Sequence, residues 1–462
     1  MLDTVLLWID KSQKRFLHDL KSWLTIPSVS AQPQHAADIQ NAADWARDYL
    51  RTIGMDVQLV PTAKNPCILA TTPDALCPPN SPHILIYGHY DVQPPEPLDL
   101  WTSPPFSPTV RDNQLFARGA SDDKGQAHCH LAALMAWKEI NSGFPCRITV
   151  LLEGEEEIGS PNLMSVVEAH RPLLASANIL LISDTNIFAA GVPSITYGLR
   201  GLAGIEVVLT GANTDLHSGM YGGTVANPAH ALVSLLAKLH DDQGRVTVPG
   251  FYDKVVPLTD SERKMWSTLP HDDAQFAADL GVPELYGEAG FSTLERKWAR
   301  PTLEINGLTS GYQGTGAKTV LPCRASAKIT CRLVPDQDGD QITDNLIAHL
   351  RNLKPPGVTM EIIYRAPASP PAITPIHSPA MHAAANAMEL AFGKTPVFQR
   401  EGGSIPVVAW FKKALNIDSI LLGFGLPDDR IHAPNEKIDL PYYFNGIKTC
   451  AAAYQLIADA LK

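Results

Sequence analysis

A chain of 462 residues is too long for one ordinary hydrophobic core and suits two or three domains. At 45% hydrophobic and 18% charged it has a globular composition, and its net charge of -11 argues against nucleic acid or anionic membrane as general partners. Its seven cysteines, at 67, 77, 129, 146, 323, 331 and 450, include no CxxC pair, which points to reduced thiols and a cytoplasmic protein.

The opening residues 1–24 are interrupted by Asp3 and Asp10 and lack a small-residue cleavage site. Val5, Trp8, Ile9, Phe16, Leu20 and Trp23 suit one face of a helix rather than a signal peptide. No apolar run reaches membrane-spanning length. A helix is expected from about Asp38 to Ile53, stopped by Gly54, then a strand at 56–60 and a proline-rich connection. "HILIYGHYDV" reads as a buried strand turning polar at its far end, followed by a proline-marked surface loop. Residues 122–140 form a helix by their apolar spacing, and "RITVLL" (147–152) and "NILLIS" (178–183) are further strands. Strands alternating with helices imply a largely parallel α/β sheet.

The character changes after Tyr197. Residues 201–211 alternate, as in a sheet with one exposed face, and are followed by a helix at 227–240. A strand at 325–335, a helix at 340–353 and a strand at 358–366 complete the set. The domain reading is therefore a catalytic α/β domain with a mixed, mostly parallel sheet in two parts, 1–197 and 368–462. An α+β domain, 198–367, is inserted between them.

The run "LLEGEEEIGS" (151–160) ends an apolar strand in Glu153, Glu155, Glu156 and Glu157. Adjacent carboxylates repel, so burying them calls for a cation. Other polar residues also follow apolar strands: His89 and Asp91, two apart and so facing the same side, and Asp184 in "LISDTN". Asp122 precedes a helix in "GASDDKG", and His432 lies in "IHAPNE". The carboxyl ends of strands in an open α/β sheet are where ligands bind. Imidazoles mixed with carboxylates suit zinc or manganese, and many carboxylates with few histidines suit two ions. Singly, each residue has an ordinary reading: Asp122 as a helix cap, Asp184 as a turn cap, Glu153 and Glu155 as a solvated turn.

Taken together, "GHYDVQP", "RGASDDKGQ", "LLEGEEEIGS", "LISDTN", "TDLHSGMYGG", "CRLVP", "REGGSIP" and "IHAPNE" resemble the di-metal peptidase family. That family includes carnosinase, the cytosolic non-specific dipeptidases, glutamate carboxypeptidases and aminoacylases. The resemblance runs in order over almost the whole chain and is nearest to the dipeptidase branch. It implies two divalent ions per subunit, zinc first, with manganese or cobalt accepted by the same ligands. His89, Asp122, Glu157, Asp184 and His432 would bind them, Asp122 bridging and Asp123 supporting, with a cis Asp122–Asp123 peptide. Glu156 would shuttle a proton, and Asp91 would orient His89. His217 would reach into the site of a partner subunit, in a homodimer formed through the inserted dimerisation and lid domain. Arg332 would grip the substrate's terminal carboxylate, aided by Ser404, Gly403 and Gly402. His377 is the imidazole nearest the place where dipeptidase relatives often carry a further polar residue.

The expected activity is hydrolysis of dipeptides. A deacylase or carboxypeptidase acting on another small amide is the nearest alternative. A silent metal- or peptide-binding regulator is the alternative of another class, and the presence of Glu156 and all five ligands speaks against it.

Overall fold

A computed structural model describes residues 1–462 as two compact units. The first comprises Met1–Tyr197, Thr374–Gln399 and Trp410–Lys462; the second comprises Gly198–Ile373 and Arg400–Ala409.

The first unit is built on a mixed sheet. Its strands lie in the order Asp56–Val60, Cys67–Thr71, Arg147–Glu153, His83–His89, Ile179–Ile182, Ser419–Leu421 and Ser194–Leu199. The four from Arg147–Glu153 to Ser419–Leu421 are parallel, and antiparallel strands flank them. His83–His89 is buried throughout, as a strand covered on both faces must be, and so reads as an apolar run without alternation. In register, His89 stands beside Glu153 and Tyr87 beside Ile182. The polar residues following these strands are therefore delivered to one edge.

The helix Lys124–Asn141 is buried on every side from Lys124 to Trp137, so it carries no polar stripe. Trp137 Nε1 donates to Ala451 O (2.9 Å) in the C-terminal helix Leu440–Ala460. At Gly125 an added Cβ would stand 1.8 Å from Ala120 O, so only glycine lets this helix start so close to the Asp122 turn. The opening stretch, read as one amphipathic face, is two helices, Leu2–Lys11 and Gln13–Leu24, broken at Ser12 (φ -102°, ψ 7°). No helix is long and apolar enough to cross a membrane.

The second unit is a four-stranded antiparallel sheet ordered Thr302–Ser310, Arg324–Leu333, Gly201–Thr210, Thr359–Ser369. Arg324–Leu333 alternates cleanly, its inward residues joining Leu232, Leu235, Leu346 and Leu350 from the helices Pro228–Leu236 and Gly339–Leu353. The helix expected at 227–240 stops at Leu236, and His240 instead bridges to Val246. Three short helices lie between Asp260 and Ala299 where the sequence suggested none, two of them started by capping boxes, Thr259 with Glu262 and Ser292 with Glu295.

The division differs from the sequence boundaries in two places. The last strand of the second unit runs to Ser369, paired with Leu202, so the chain returns at Thr374 rather than 368. Residues 400–409, expected with the returning α/β domain, belong to the second unit. There the Arg200 backbone N–H donates to Gly403 O, and the Arg200 side chain donates to Gly402 O.

Candidate metal centre

His89 closes its strand fully buried. Its Nδ1 lies 3.1 Å from the carbonyl oxygen of Asp91 and 3.5 Å from that residue's carboxylate, so the backbone of Asp91 is the nearer ring partner. The Asp91 carboxylate instead accepts the backbone N–H groups of Glu156 (3.2 Å) and Glu157 (3.1 Å), fixing the short turn Glu156–Ile158 after the next strand. The opposite nitrogen of His89, Nε2, lies 3.2 Å from Asp122 Oδ1 and 3.9 Å from Asp184 Oδ2, without a hydrogen-bond partner of proper geometry.

Asp122 and Asp123 are joined by a cis peptide bond. Asp123 Oδ2 accepts the backbone N–H of His89 (3.2 Å). Asp122 Oδ2 lies 2.9 Å from His432 Nε2, whose residue adopts φ 60° in the loop before Leu440–Ala460. His432 Nε2 is also 3.4 Å from Glu157 Oε2, which takes a hydrogen bond from Gln93 Nε2 (2.7 Å); Glu157 Oε1 is buried without a partner.

The side chains thus fall into two groups, His89–Asp122–Asp184 and Asp122–Glu157–His432, the ligand atoms within each lying within 4.8 Å of one another. Asp122 belongs to both. All five sequence candidates are brought together here, with Glu156 and Asp91 beside them.

The residues fit two divalent cations. The unpartnered His89 Nε2 and Glu157 Oε1 are donor atoms left without a hydrogen bond, and nitrogen mixed with carboxylate oxygen suits a zinc-like ion. Charge points the same way. Burial, with Asp123 and Asp122 nearby, pushes the Asp184 carboxyl well above its usual range. Burial also lifts Glu156 to about 7, against the pull of His89 and with Glu157, Asp91 and Asp122 adding to the rise. Burial opposes ionisation of Asp122 too, but His432 and His89 hold its carboxyl low. His432 is raised to about 10 by Asp122 and Glu157. So many acids sharing two imidazoles leave negative charge for a cation to neutralise.

Two expectations are corrected. Glu153 and Glu155 are not a solvated turn. Glu153 is 1% exposed and accepts from Tyr87 Oη and Ser160 Oγ. Glu155, 2% exposed, accepts from Thr62 Oγ1, Asn65 N and Asn162 Nδ2. Both are struts beneath the turn that presents Glu156 and Glu157. A further residue went unread in "IHAPNE": Glu436 is fully buried and accepts from Arg118 Nη1, Gly119 N, Ser121 N and Asp122 N (2.7 to 3.1 Å).

The remaining candidates except His377 lie in the second unit. His217 is exposed and caps Ser218–Tyr221 by accepting from Gly219 N (3.1 Å). Arg332 Nη1 donates to Ser404 Oγ (3.0 Å), and Gly403 is exposed beside it. In the first unit, His377 is exposed, its ring 6.3 Å from His382, and takes no part in the cluster.

Residues 85–456 match the model of peptidase family M20/M25/M40. The chain is 32% identical to the Cys-Gly metallodipeptidase of Candida albicans, over 96% of this chain and 94% of the relative. The crystal structure of human carnosine dipeptidase 1 superposes with a TM-score of 0.83 at 31% identity, covering 99% of each chain. An M20-family metallo-carboxypeptidase from Sulfolobus solfataricus superposes with a TM-score of 0.82 at 30% identity, covering 96% of this chain and 99% of that one. On this match, and with its paired ligand groups, the chain belongs to peptidase family M20/M25/M40.

Proposed function

We propose that this protein is a metal-dependent dipeptidase. The observation that carries the reading is the position of Asp122 in both ligand groups, with Glu156 held next to them by the Asp91 carboxylate. Metallodipeptidases with Cys-Gly and carnosine in their names are its relatives across the full chain. His89, Asp122, Asp184, Glu157 and His432 would hold two divalent cations, zinc first and manganese or cobalt as substitutes. Such ions polarise an amide carbonyl and ease deprotonation of water.

The chain's own residues do the rest. The Glu156 carboxylate takes a proton from the attacking water as the new C–O bond forms. It then gives that proton to the leaving nitrogen as the C–N bond breaks, releasing a carboxylate and an amine. Asp91 fixes the Glu156–Glu157 backbone, so the shuttle and a ligand move as one. Arg332, with Ser404 and Gly403, receives the terminal carboxylate through charge-assisted hydrogen bonds. In a homodimer formed through the second unit, His217 of one subunit would steady the developing oxyanion in the other. The exposed Met220 and Tyr221 beside it are suited to a covered surface. All seven cysteines are free, in keeping with a reducing, cytoplasmic setting.

The test is hydrolysis of Ala-Leu against N-acetyl-Ala-Leu by zinc- or manganese-loaded protein, with chelated protein as blank. Cleavage of the free dipeptide alone is expected. Preference for the acetylated compound would move the protein towards the deacylases or carboxypeptidases, a reading to which the Sulfolobus relative lends weight. Failure to cleave either would overturn the dipeptidase reading.

A further inference from the structure

The stretch His89–Pro94 carries three polar side chains at a spacing of two: His89, Asp91 and Gln93. Proline keeps the residue before it extended, so the alternation that sets His89 and Asp91 on one side carries on to Gln93. The run is fastened at both ends. Val92 N donates to Ser28 O (2.9 Å) beside a parallel bridge to Val29. Pro94 O accepts from Arg118 Nη2 (3.1 Å), the guanidinium that also binds Glu436.

Each of the three side chains serves the metal centre. His89 belongs to one ligand group, and the Asp91 carboxylate accepts the backbone N–H groups of Glu156 and Glu157. Gln93 Nε2 donates to Glu157 Oε2 at 2.7 Å and makes a longer contact, 3.4 Å, with the Glu157 carbonyl oxygen. Both groups facing it are acceptors, so the NH₂ end of the amide is the end that points at them. Glu157 is thus held at its N–H, its carbonyl and its carboxylate by one short extension of a strand.

Glu156 is treated differently. Asp91 holds its backbone N–H, but its carboxylate accepts no hydrogen bond. Of two adjacent acids, only Glu157 has its side chain tied down, with Oε2 on Gln93 and Oε1 buried without a partner. A neutral donor suits this position. Lysine or arginine there would pair with the carboxylate and cancel charge that a cation needs, whereas an amide orients one oxygen and leaves the charge in place.

We propose that Gln93 is the positioning residue that makes Glu157, rather than Glu156, the acidic ligand contributed by this turn, leaving Glu156 free to move the proton. The proposal rests on the reading of Asp122, Glu157 and His432 as a metal site and is independent of which amide the protein cleaves.

The experiment is calorimetric titration of metal-stripped protein with zinc, followed over both binding events. It compares the unmodified chain, Gln93→Met, His432→Ala and the two substitutions combined. Gln93→Met removes the donor at similar volume and is expected to weaken one event by roughly 10- to 100-fold, as loss of an orienting partner does, and the other far less. His432→Ala disables the same ligand group, so adding Gln93→Met to it should move the remaining event by no more than about twofold. A residue with a merely structural role would weaken both events, and in either background. Gln93→Asn keeps the amide one methylene short of Glu157 and should reproduce the loss; it takes the place of Gln93→Met if that chain does not unfold cooperatively in urea. Unchanged zinc affinity in both Gln93 variants, or a loss that persists undiminished beside His432→Ala, overturns the proposal. If the unmodified protein binds no zinc, the metal reading and this proposal fall together. Zinc binding that depends on Gln93, in a protein that cleaves no dipeptide, leaves the assignment of Gln93 standing while the dipeptidase reading falls.

Discussion

Glu436 Oε1 accepts the backbone N–H of Asp122 at 3.1 Å, joining the loop that carries His432 to the turn that carries the shared carboxylate. The same carboxyl group takes Ser121 N, Gly119 N and Arg118 Nη1. Asp429 reinforces the joint by accepting from Ser121 Oγ (2.9 Å) and Lys437 Nζ (2.8 Å). A ligand set made from distant parts of the chain is only as exact as the bonds holding those parts together.

Glu436→Gln is therefore expected to lower affinity for zinc or manganese by roughly 10- to 100-fold, as loss of an orienting partner does. Its amide NH₂ would face backbone donors in place of an acceptor. Glu436→Ala should cost about 3–5 kcal/mol of folding stability besides, because Arg118, 1% exposed, is left as a buried unpaired charge. Calorimetric metal titration and urea unfolding measure the two effects separately. Unchanged metal affinity in Glu436→Gln would remove Glu436 from the positioning role.

Glu156→Gln separates chemistry from binding. The residue belongs to neither ligand group, so metal content should stay at the unmodified level while turnover falls by roughly 10²- to 10⁴-fold, the usual share of a positioned acid–base group. Elemental analysis and kcat on the same preparation decide it. A variant with both ions and unimpaired kcat would show that the proton travels by another route.

How much of this could be read beforehand depended on the distance between partners. His89, Glu157 and Asp184 were visible because apolar strands ended abruptly in acids and imidazole, a local pattern. The strand Cys67–Thr71 hid inside a proline-rich connection, since "CILAT" is too short for its period to show. Glu153 and Glu155 were misread for a different reason. What buries them is supplied by Tyr87, Thr62, Asn65 and Asn162, and no spacing within "EGEEE" reveals those contacts. Glu436 was hidden in the same way, its partners lying more than three hundred positions earlier. The "REGGS" turn was recognised, but its attachment to the strand at Arg200 is a tertiary fact.

Chelation should expose the repulsion that the cations balance. Ions that bind only the folded state stabilise it by mass action, about 2.7 kcal/mol when free metal is 100 times its dissociation constant. Metal-stripped protein is thus expected to melt several degrees lower and to recover on adding zinc or manganese, but not calcium at equal concentration, since imidazole is a poor calcium ligand. Differential scanning calorimetry with each ion tests this. Identical melting of stripped and loaded protein would argue against ions at the Asp122 groups.

Acid should destabilise the first unit through imidazoles far from that chemistry. Burial, together with the charge of Arg147, lowers His83 to about 4, and burial alone lowers His128 and His130 to about 3. Each is held neutral by hydroxyl partners: His83 by Ser176 and Thr149, His128 by Tyr443, and His130 by Tyr454 and Ser183. Above the unfolded value of about 6.5 neither state is protonated, and these groups add no pH dependence. Below it the unfolded chain takes up protons that the folded one refuses, so stability falls as pH falls, by up to about 1.4 kcal/mol per pH unit for each imidazole. Raised carboxyls work in the opposite direction: Glu153, lifted to about 8 by burial, holds a proton in the folded state that the unfolded chain releases. The total curve is a sum of both effects, so the difference between proteins is the quantity to measure. Replacing His128 with Gln should flatten the loss of stability between pH 6.5 and 4 by about 1.4 kcal/mol per unit relative to the unmodified protein. Urea unfolding across that range gives the difference directly, and parallel curves would mean that His128 is not the proton acceptor released on unfolding.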